Sequence, residues 1–271
     1  MRVCIIGLGK VGKVNAKYIQ SKGIEVYGYD ISQKSVENAE ANNIWVTTDW
    51  EKIPSNIDVF IVNVYAGLNN GNPDMSAIFD VCSKIKEKSK ECLVSIESTL
   101  LVGTCRKIWN EIFCRNTDFN IVHVPHRWYE ADQEEHGVNQ PRIIGGINEY
   151  SLDNGNYFYK HKLGISLFNV LSIELAEMSK ITENAYRYVQ IAFAEELKMI
   201  CQKLGIDFFE LRKACNTKWN INILEALDGI GGTCLPKDLK FYLSLTDKAN
   251  LVKKAKQVND DYEAWLCGYQ N

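Results

Sequence analysis

The sequence predicts an α/β fold: a Rossmann-like doubly wound parallel sheet followed by a smaller all-helical domain built on one long helix. Three observations carry that reading. Gly7, Gly9 and Gly12 are spaced G-x-G-x-x-G directly after a short apolar run. Strand-like and helix-like segments then alternate as far as "PRIIGG", residues 141–146. After about residue 165 the strand pattern stops, and residues 174–204 read as one uninterrupted helix. The expected division is 1–165 for a dinucleotide-binding domain and 166–271 for a helical domain.

Each element of the first half has a local reason. "RVCII" is apolar and rich in branched residues, so it reads as a buried strand. In the motif that follows, Gly7 permits a tight turn, Gly9 lets a pyrophosphate approach the backbone, and Gly12 lets helix and strand pack closely. The helical stretch "KVNAKYIQSKG" ends at Gly23 as its cap. Its first turn, with Lys10 and Val11 between the glycines, offers free N–H groups and the positive end of the dipole to an anion. The next strand, "EVYGYD", closes on Asp30, placed to accept hydrogen bonds from the adenosine ribose. A carboxylate there repels a 2′-phosphate, so the expected cofactor is NAD, not NADP. A glycine motif alone is weak, but here strand, helix and acid agree. Further strands are expected at 58–64 and 92–98, with a helix around 74–90 whose run "KIKEKSKE" is a solvated face.

Composition excludes several classes. The chain has 271 residues, 46% of them hydrophobic, and a formal charge of −3. That is enough for one large or two medium cores. A mildly acidic chain lacks the basic face of a general nucleic-acid binder. No apolar run approaches the roughly 20 residues of a membrane span, and the first residues lack the apolar stretch of a signal peptide. The expectation is therefore a cytoplasmic protein with no nucleic-acid or membrane partner. Nine cysteines, an odd number without a C-x-x-C pair, indicate neither a disulfide framework nor a metal site. Most read as small apolar fillers.

In the second half, the apolar residues of 174–204 spread widely around the helix. It is buried on more than one side, either within a domain or at the core of a homodimer formed through this helix. Lys180 and Asn184 share one face at i and i+4, a spacing that by itself favours a surface pair. Further on, "GGTCLPKDLK" sets Cys234 among backbone hinges and charge, unlike a cysteine used for packing.

Four segments now belong together: "GLGKVG" (7–12), "ESTLLVGTC" (97–105), "AEMSKITENAYR" (176–187) and "GGTCLPKD" (231–238). In this order they resemble G-x-G-x-V-G, S-T-x-x-x-G-T, A-E-x-x-K-x-x-x-N-x-x-R and G-G-x-C-x-P-K-D of the UDP-glucose/GDP-mannose dehydrogenase family. The resemblance runs nearly end to end. It implies oxidation of the primary C6 alcohol of a nucleotide-linked sugar to a carboxylate, with two NAD per turnover. It assigns Cys234 as the nucleophile that passes through a thiohemiacetal and a thioester, a role that calls for a thiolate. It assigns Lys180 and Asn184 to developing oxyanion charge, Asp238 to proton transfer or water activation, and Thr99 to positioning water beside the cofactor. It also implies a dimer core at the long helix.

Two departures from the family stand out. In "VPHRWYEAD" (124–132), His126 replaces the usual glutamate of P-E-R, while Glu130 matches a second acid found in the UDP-glucose branch. Two readings of His126 stand side by side: an imidazole base near neutral pH, or a residue that only reshapes the pocket. The likeness also covers the NAD-binding and central domains only, without the C-terminal domain that grips the nucleotide. The substrate is then a nucleotide sugar, a smaller sugar, or one gripped with a partner's help. Two alternatives remain: a two-electron β-hydroxyacid-type dehydrogenase, which also uses a helix-borne lysine and asparagine, and a catalytically silent NAD-binding protein.

Overall fold

Apolar strands covered on both faces by amphipathic helices generate most of the first two thirds of the chain. The structure, a computed structural model, describes residues 1–40, 44–129, 132 and 136–269. In chain order the elements begin β1 (Arg2–Ile6), α1 (Lys10–Ser21), β2 (Glu25–Tyr29), α2 (Gln33–Glu40), β3 (Trp45–Thr47) and β4 (Val59–Val62). A short hairpin of β5 (Gly67–Asn69) and β6 (Asn72–Asp74) precedes α3 (Ser76–Lys88), β7 (Cys92–Ile96), α4 (Thr104–Glu111) and β8 (Phe119–His123). Then follow β9 (Arg142–Gly146), α5 (Glu149–Asn156), a π-helical turn at Tyr157–Lys162 and β10 (Leu167–Asn169). The rest is helical: α6 (Ile173–Leu204), α7 (Phe208–Asn216), α8 (Cys234–Ser244) and α9 (Asn250–Tyr269).

The main sheet has eight strands in the order β10-β9-β8-β7-β4-β1-β2-β3. β2 and β3 continue from one side of β1, whereas β4, β7 and β8 continue from the other. The order therefore reverses beside β1, where open α/β sheets bind their ligands at the carboxyl ends of the strands. β4 and β7 are buried along their whole length, as expected of strands covered on both faces. Beneath them Val3, Ile5, Ile19, Ile61, Val122 and Phe158 share one core.

The doubly wound sheet is parallel except for one pair near its edge. β9 runs antiparallel to β8, with Val122 opposite Gly146 and His123 opposite Gly145. A parallel return needs a crossover, usually through a helix; the described residues between β8 and β9 contain no helix. β10 then pairs in parallel with β9. Its three residues, Leu-Phe-Asn, are too few to show a two-residue period, and the sequence reading ended the strands before them.

By packing, the chain forms two compact units: Met1–Gly67 with Asp74–Lys180, and Leu68–Pro73 with Ile181–Asn271. The 165/166 division expected from sequence falls inside the first unit. There the start of α6 lies against the sheet: a Cβ added at Gly145 would sit 2.8 Å from the Ile173 Cα and 3.0 Å from the Ala176 Cβ. The second unit is built on residues 181–204 of α6. Tyr188, Ala192, Leu239, Val252 and Ala255 form one cluster, and Ala194, Cys201, Phe208, Ala226 and Tyr262 form another. α6 stops at Gly205, where φ of +67° lets the Ile206 N–H reach the Cys201 carbonyl at 2.9 Å. No helix among the described residues is long and apolar enough to cross a membrane.

Candidate functional site

The glycine-rich turn between β1 and α1 separates three steric situations. Gly7 has φ of +92°, and a Cβ there would lie 2.7 Å from backbone atoms of Asn63. A Cβ at Gly12 would lie 1.9 Å from the Gly7 carbonyl oxygen. Both glycines are required by the fold itself. Gly9 is different: its φ is −63°, and a Cβ there would meet nothing within 4 Å. Nothing in the protein demands glycine at that position, so the space fits a ligand approaching the backbone. Directly behind it α1 starts at Lys10 with no side chain capping its N–H groups, which suits a pyrophosphate. Gly9 and Lys10 are exposed and Val11 is half-buried.

Asp30, at the end of β2, accepts the Leu8 N–H at 2.7 Å and the Ser32 N–H at 2.8 Å, one on each carboxylate oxygen. These bonds fix the carboxylate beside the turn, and each oxygen keeps acceptor capacity for a ribose hydroxyl. The buried Nδ2 of Asn63, next to Gly7, has no protein acceptor. Open space, an uncapped helix start, a fixed carboxylate and an orphan donor together fit a dinucleotide.

The loop after β7 carries Thr99, half-buried. It is pinned at both ends. Ser98 Oγ donates to the Val64 carbonyl at 2.6 Å. At the other end, buried Glu177 of α6 accepts the Gly103 N–H at 2.6 Å and the Cys105 N–H at 2.7 Å, capping α4 from a distance. Burial raises the Glu177 pKa, against the lowering effect of those two backbone bonds. Lys180 follows Glu177 by three residues and is half-buried within the same unit.

His126 sits just beyond β8 and is buried, with 8% exposure. Its Nε2 lies 3.0 Å from Asn15 Oδ1 on α1, and its Nδ1 accepts the Trp128 N–H at 3.0 Å. Asn15 in turn donates through Nδ2 to Glu97 Oε2 at 2.5 Å. Glu97 Oε1 accepts from Arg142 Nη1 at 2.9 Å and from the Tyr159 hydroxyl at 2.6 Å. All these groups but the half-buried Trp128 are buried, and every hydrogen bond just given joins elements far apart in sequence except the His126–Trp128 bond. Burial, then the charges of Arg142 and Lys180, hold the His126 pKa well below its ordinary value, so the ring is neutral. Glu130 lies outside the described residues.

The second unit holds the cysteine. Gly232, with φ of +79°, turns the chain into α8, and Cys234 is that helix's exposed first residue. Pro236 falls in the first turn, where no intrahelical N–H bond is lost. One turn further, Asp238 is almost fully buried at 1% exposure. Asn184 Nδ2 donates to its Oδ2 at 2.5 Å, and Lys237 Nζ lies 2.9 Å from its Oδ1. Lys237 also stands over the Phe241 ring, 4.6 Å from its centre. Cys234, Lys237 and Asp238 thus share one face of α8.

The other cysteines contrast with this one. Burial pushes the thiols of Cys4, Cys82 and Cys105 well up, and that of Cys92 to about 12. A solvent-facing thiol at a helix N-terminus, one turn from a buried carboxylate and its cation, can add to a carbonyl carbon; a buried one cannot. The structure therefore groups Asn184, Cys234 and Asp238 in the second unit. Gly7, Gly9, Lys10, Val11, Gly12, Asp30, Thr99, His126 and Lys180 lie in the first. Sequence reasoning did not single out Lys237, Glu177 or the Asn15–Glu97–Arg142 set. For Lys237 a signal existed, since it stands inside the quoted "PKD".

Two family models match successive stretches of the chain. Residues 36–163 match the UDP-glucose/GDP-mannose dehydrogenase family, NAD binding domain, and residues 174–261 match that family's central domain. A UDP-N-acetyl-D-mannosamine dehydrogenase of Methanococcus vannielii is 30% identical, over 98% of this chain and 66% of the relative. One from Campylobacter jejuni is 30% identical over 96% of this chain and 72% of the relative. Among solved structures, a UDP-D-ManNAc dehydrogenase from Pyrococcus horikoshii superposes with a TM-score of 0.88 at 28% identity, covering 99% of this chain and 70% of that one. The chain thus spans about two thirds of the length of the relatives it matches. With its NAD-binding and central domains both accounted for, it belongs to the UDP-glucose/GDP-mannose dehydrogenase family.

Proposed function

We propose that this chain carries out the NAD-dependent oxidation of the primary alcohol of a UDP-linked N-acetylhexosamine to the corresponding uronic acid. The observation that carries this reading is the placement of Cys234: exposed, first in α8, and one turn from an Asp238 held by Asn184 and Lys237. The sugar class follows the relatives, which are named as UDP-N-acetyl-D-mannosamine dehydrogenases.

When bound, NAD supplies a hydride acceptor, and each oxidation uses one molecule of it. The chain's residues account for the rest. Once the alcohol is an aldehyde, the Cys234 thiolate adds to its carbonyl carbon and forms a C–S bond, with the negative charge moving to oxygen. Lys180 and Asn184, a turn apart on α6, are the donors assigned to that oxygen. Loss of a second hydride from the same carbon leaves a thioester on Cys234. Water then adds to the acyl carbon and the C–S bond breaks, releasing the acid and restoring the thiol. Asp238 accepts the Asn184 amide and so sets its orientation, while Thr99, on its pinned loop, is the hydroxyl assigned to holding the water.

We further assign a homodimer to α6. Tyr186, Phe193 and Ile200 recur every seven residues and are 65%, 53% and 48% exposed, with Leu204 continuing the stripe at 63%. A second copy of the same helix face is the covering this pattern fits.

The test is stoichiometric. UDP-N-acetylmannosamine, UDP-N-acetylgalactosamine and UDP-glucose are supplied with NAD, and NADH is counted against acid formed. Two NADH per acid is expected; one NADH with a carbonyl product would favour the two-electron alternative, and no NADH with any of them would overturn the reading.

A further inference from the structure

We propose that His126 is a positioning residue for this oxidation and not its base: the ring, held as the Nε2–H tautomer, ties the loop after β8 to the dinucleotide-binding helix α1 through Asn15. The inference rests on the dehydrogenase reading for what is positioned, but its geometry lies wholly within the first unit.

Donor and acceptor roles around the ring settle one another. A backbone amide can only donate, so the Trp128 N–H at 3.0 Å leaves Nδ1 without a proton. On the far side the Glu97 carboxylate only accepts, and it already takes Arg142 Nη1 and the Tyr159 hydroxyl. The Asn15 amide must therefore turn its NH2 toward Glu97 and its Oδ1 toward His126. Oδ1 accepts from Nε2–H at 3.0 Å and, over a longer distance, from Arg142 Nη2 at 3.4 Å. Arg142 Nη2 carries two hydrogens: one goes to the Val138 carbonyl at 2.9 Å and the other reaches Asn15 Oδ1 at 3.4 Å, so its 3.2 Å approach to a protonated Nε2 is a close contact and not a hydrogen bond. The chain of bonds runs one way: Trp128 N–H to Nδ1, Nε2–H to Asn15, Asn15 NH2 to Glu97.

Such a ring has no lone pair left for a sugar hydroxyl. Taking a proton at Nδ1 would break the Trp128 bond. It would also create a second buried cation beside Arg142 of β9 and near Lys180 of α6. Among the described residues, Glu97, 3.8 Å from Nε2, is the carboxylate that would favour that cation, and Arg142 already engages it. What the ring does instead is mechanical. Asn15 lies on the helix whose first turn faces the pyrophosphate, so the loop at Val124–Tyr129 and the cofactor helix are held in one register.

Three measurements test this. Long-range 1H–15N spectra of the unaltered protein should show Nε2 protonated and Nδ1 not, unchanged from pH 5.5 to 8.5; a ring titrating in that window, or the opposite tautomer, overturns the proposal. His126→Ala and Asn15→Ala should each weaken NAD binding by about 5–50-fold, with the double variant little worse than either single one. Multiplying losses would mean the two are uncoupled and would overturn it too. His126→Gln, whose amide can donate to Asn15 but cannot act as a base, should recover most of the kcat/KM lost in His126→Ala; equal losses in the two would favour a base. The spectra and NAD titrations need no sugar, so an inactive unaltered protein would sink the dehydrogenase reading while leaving this inference separately decided.

Discussion

Cys234 and Cys4 carry the same thiol in opposite surroundings, and surroundings decide which one reacts. Cys4 is wholly buried in β1, whereas Cys234 is exposed at the start of α8. Cys234→Ser should bind NAD as the unaltered chain does, yet lose acid formation by several orders of magnitude. Serine is the weaker nucleophile, and no second carbon–sulfur step replaces it. Normal two-NADH turnover in that variant would remove Cys234 from the chemistry. Cys114 and Cys267 are also exposed, so alkylation alone does not single out Cys234; protection by bound sugar should. The glycines give a second residue-level contrast. Gly12→Ala forces a Cβ against the Gly7 carbonyl and should cost about 2 kcal/mol or more of stability. Gly9→Ala should melt with the unaltered protein but bind NAD at least about tenfold more weakly. A cofactor affinity unchanged in Gly9→Ala would remove the ligand-based account of that residue.

Glu195 supplies a pH dependence of stability. It is fully buried on α6 and neither carboxyl oxygen has a partner. Burial first, and the nearby Glu263 second, push its pKa up to about 7. The folded protein therefore holds a proton that the unfolded chain, with its ordinary glutamate near 4.5, gives up earlier. The resulting stability is complete below about pH 4.5 and is lost as pH rises through 7. Glu195→Gln cannot ionise. It should be more stable than the unaltered chain by about 2 kcal/mol at pH 8.5 and nearly equal to it at pH 5, read from thermal unfolding at both values. The same difference at both pH values would mean that Glu195 does not titrate in this range.

At the scale of elements, α6 is the one whose pattern exceeds its own unit's needs. Its inner residues, Tyr188, Ala192 and Ala194, pack into the two clusters of the second unit. Tyr186, Phe193 and Ile200 face away from that packing and remain exposed. A charge in the middle of such a stripe opposes association far more than folding. Sedimentation should show a dimer at micromolar concentration for the unaltered chain and a monomer for Phe193→Glu. A monomeric unaltered chain would leave the stripe without its proposed occupant. The hairpin of β5 and β6 shows the reverse case, an element that was legible but went unread. Asn70 and Gly71 have φ of +50° and +82°, the conformation that an Asn-Gly pair favours in a tight hairpin turn.

For the whole molecule, what the sequence by itself determined is whatever depends on neighbours along the chain. The β1–turn–α1 unit, Asp30 at the end of β2 and the extent of α6 follow from local sterics, a helix start and a 3.6-residue period, and each stands where those rules put it. The four motifs with Cys234, Lys180 and Asn184 were legible for the same reason, as short contiguous strings. Tertiary structure alone decided the direction of β9, because the strand's own residues do not say in which direction it pairs with its neighbour. It alone joined Asn15, Glu97, His126, Arg142 and Tyr159 into one buried network, since partners up to 127 positions apart leave no period to read. It also separated Cys234 from the buried thiols, because exposure belongs to the packed chain and not to the residue.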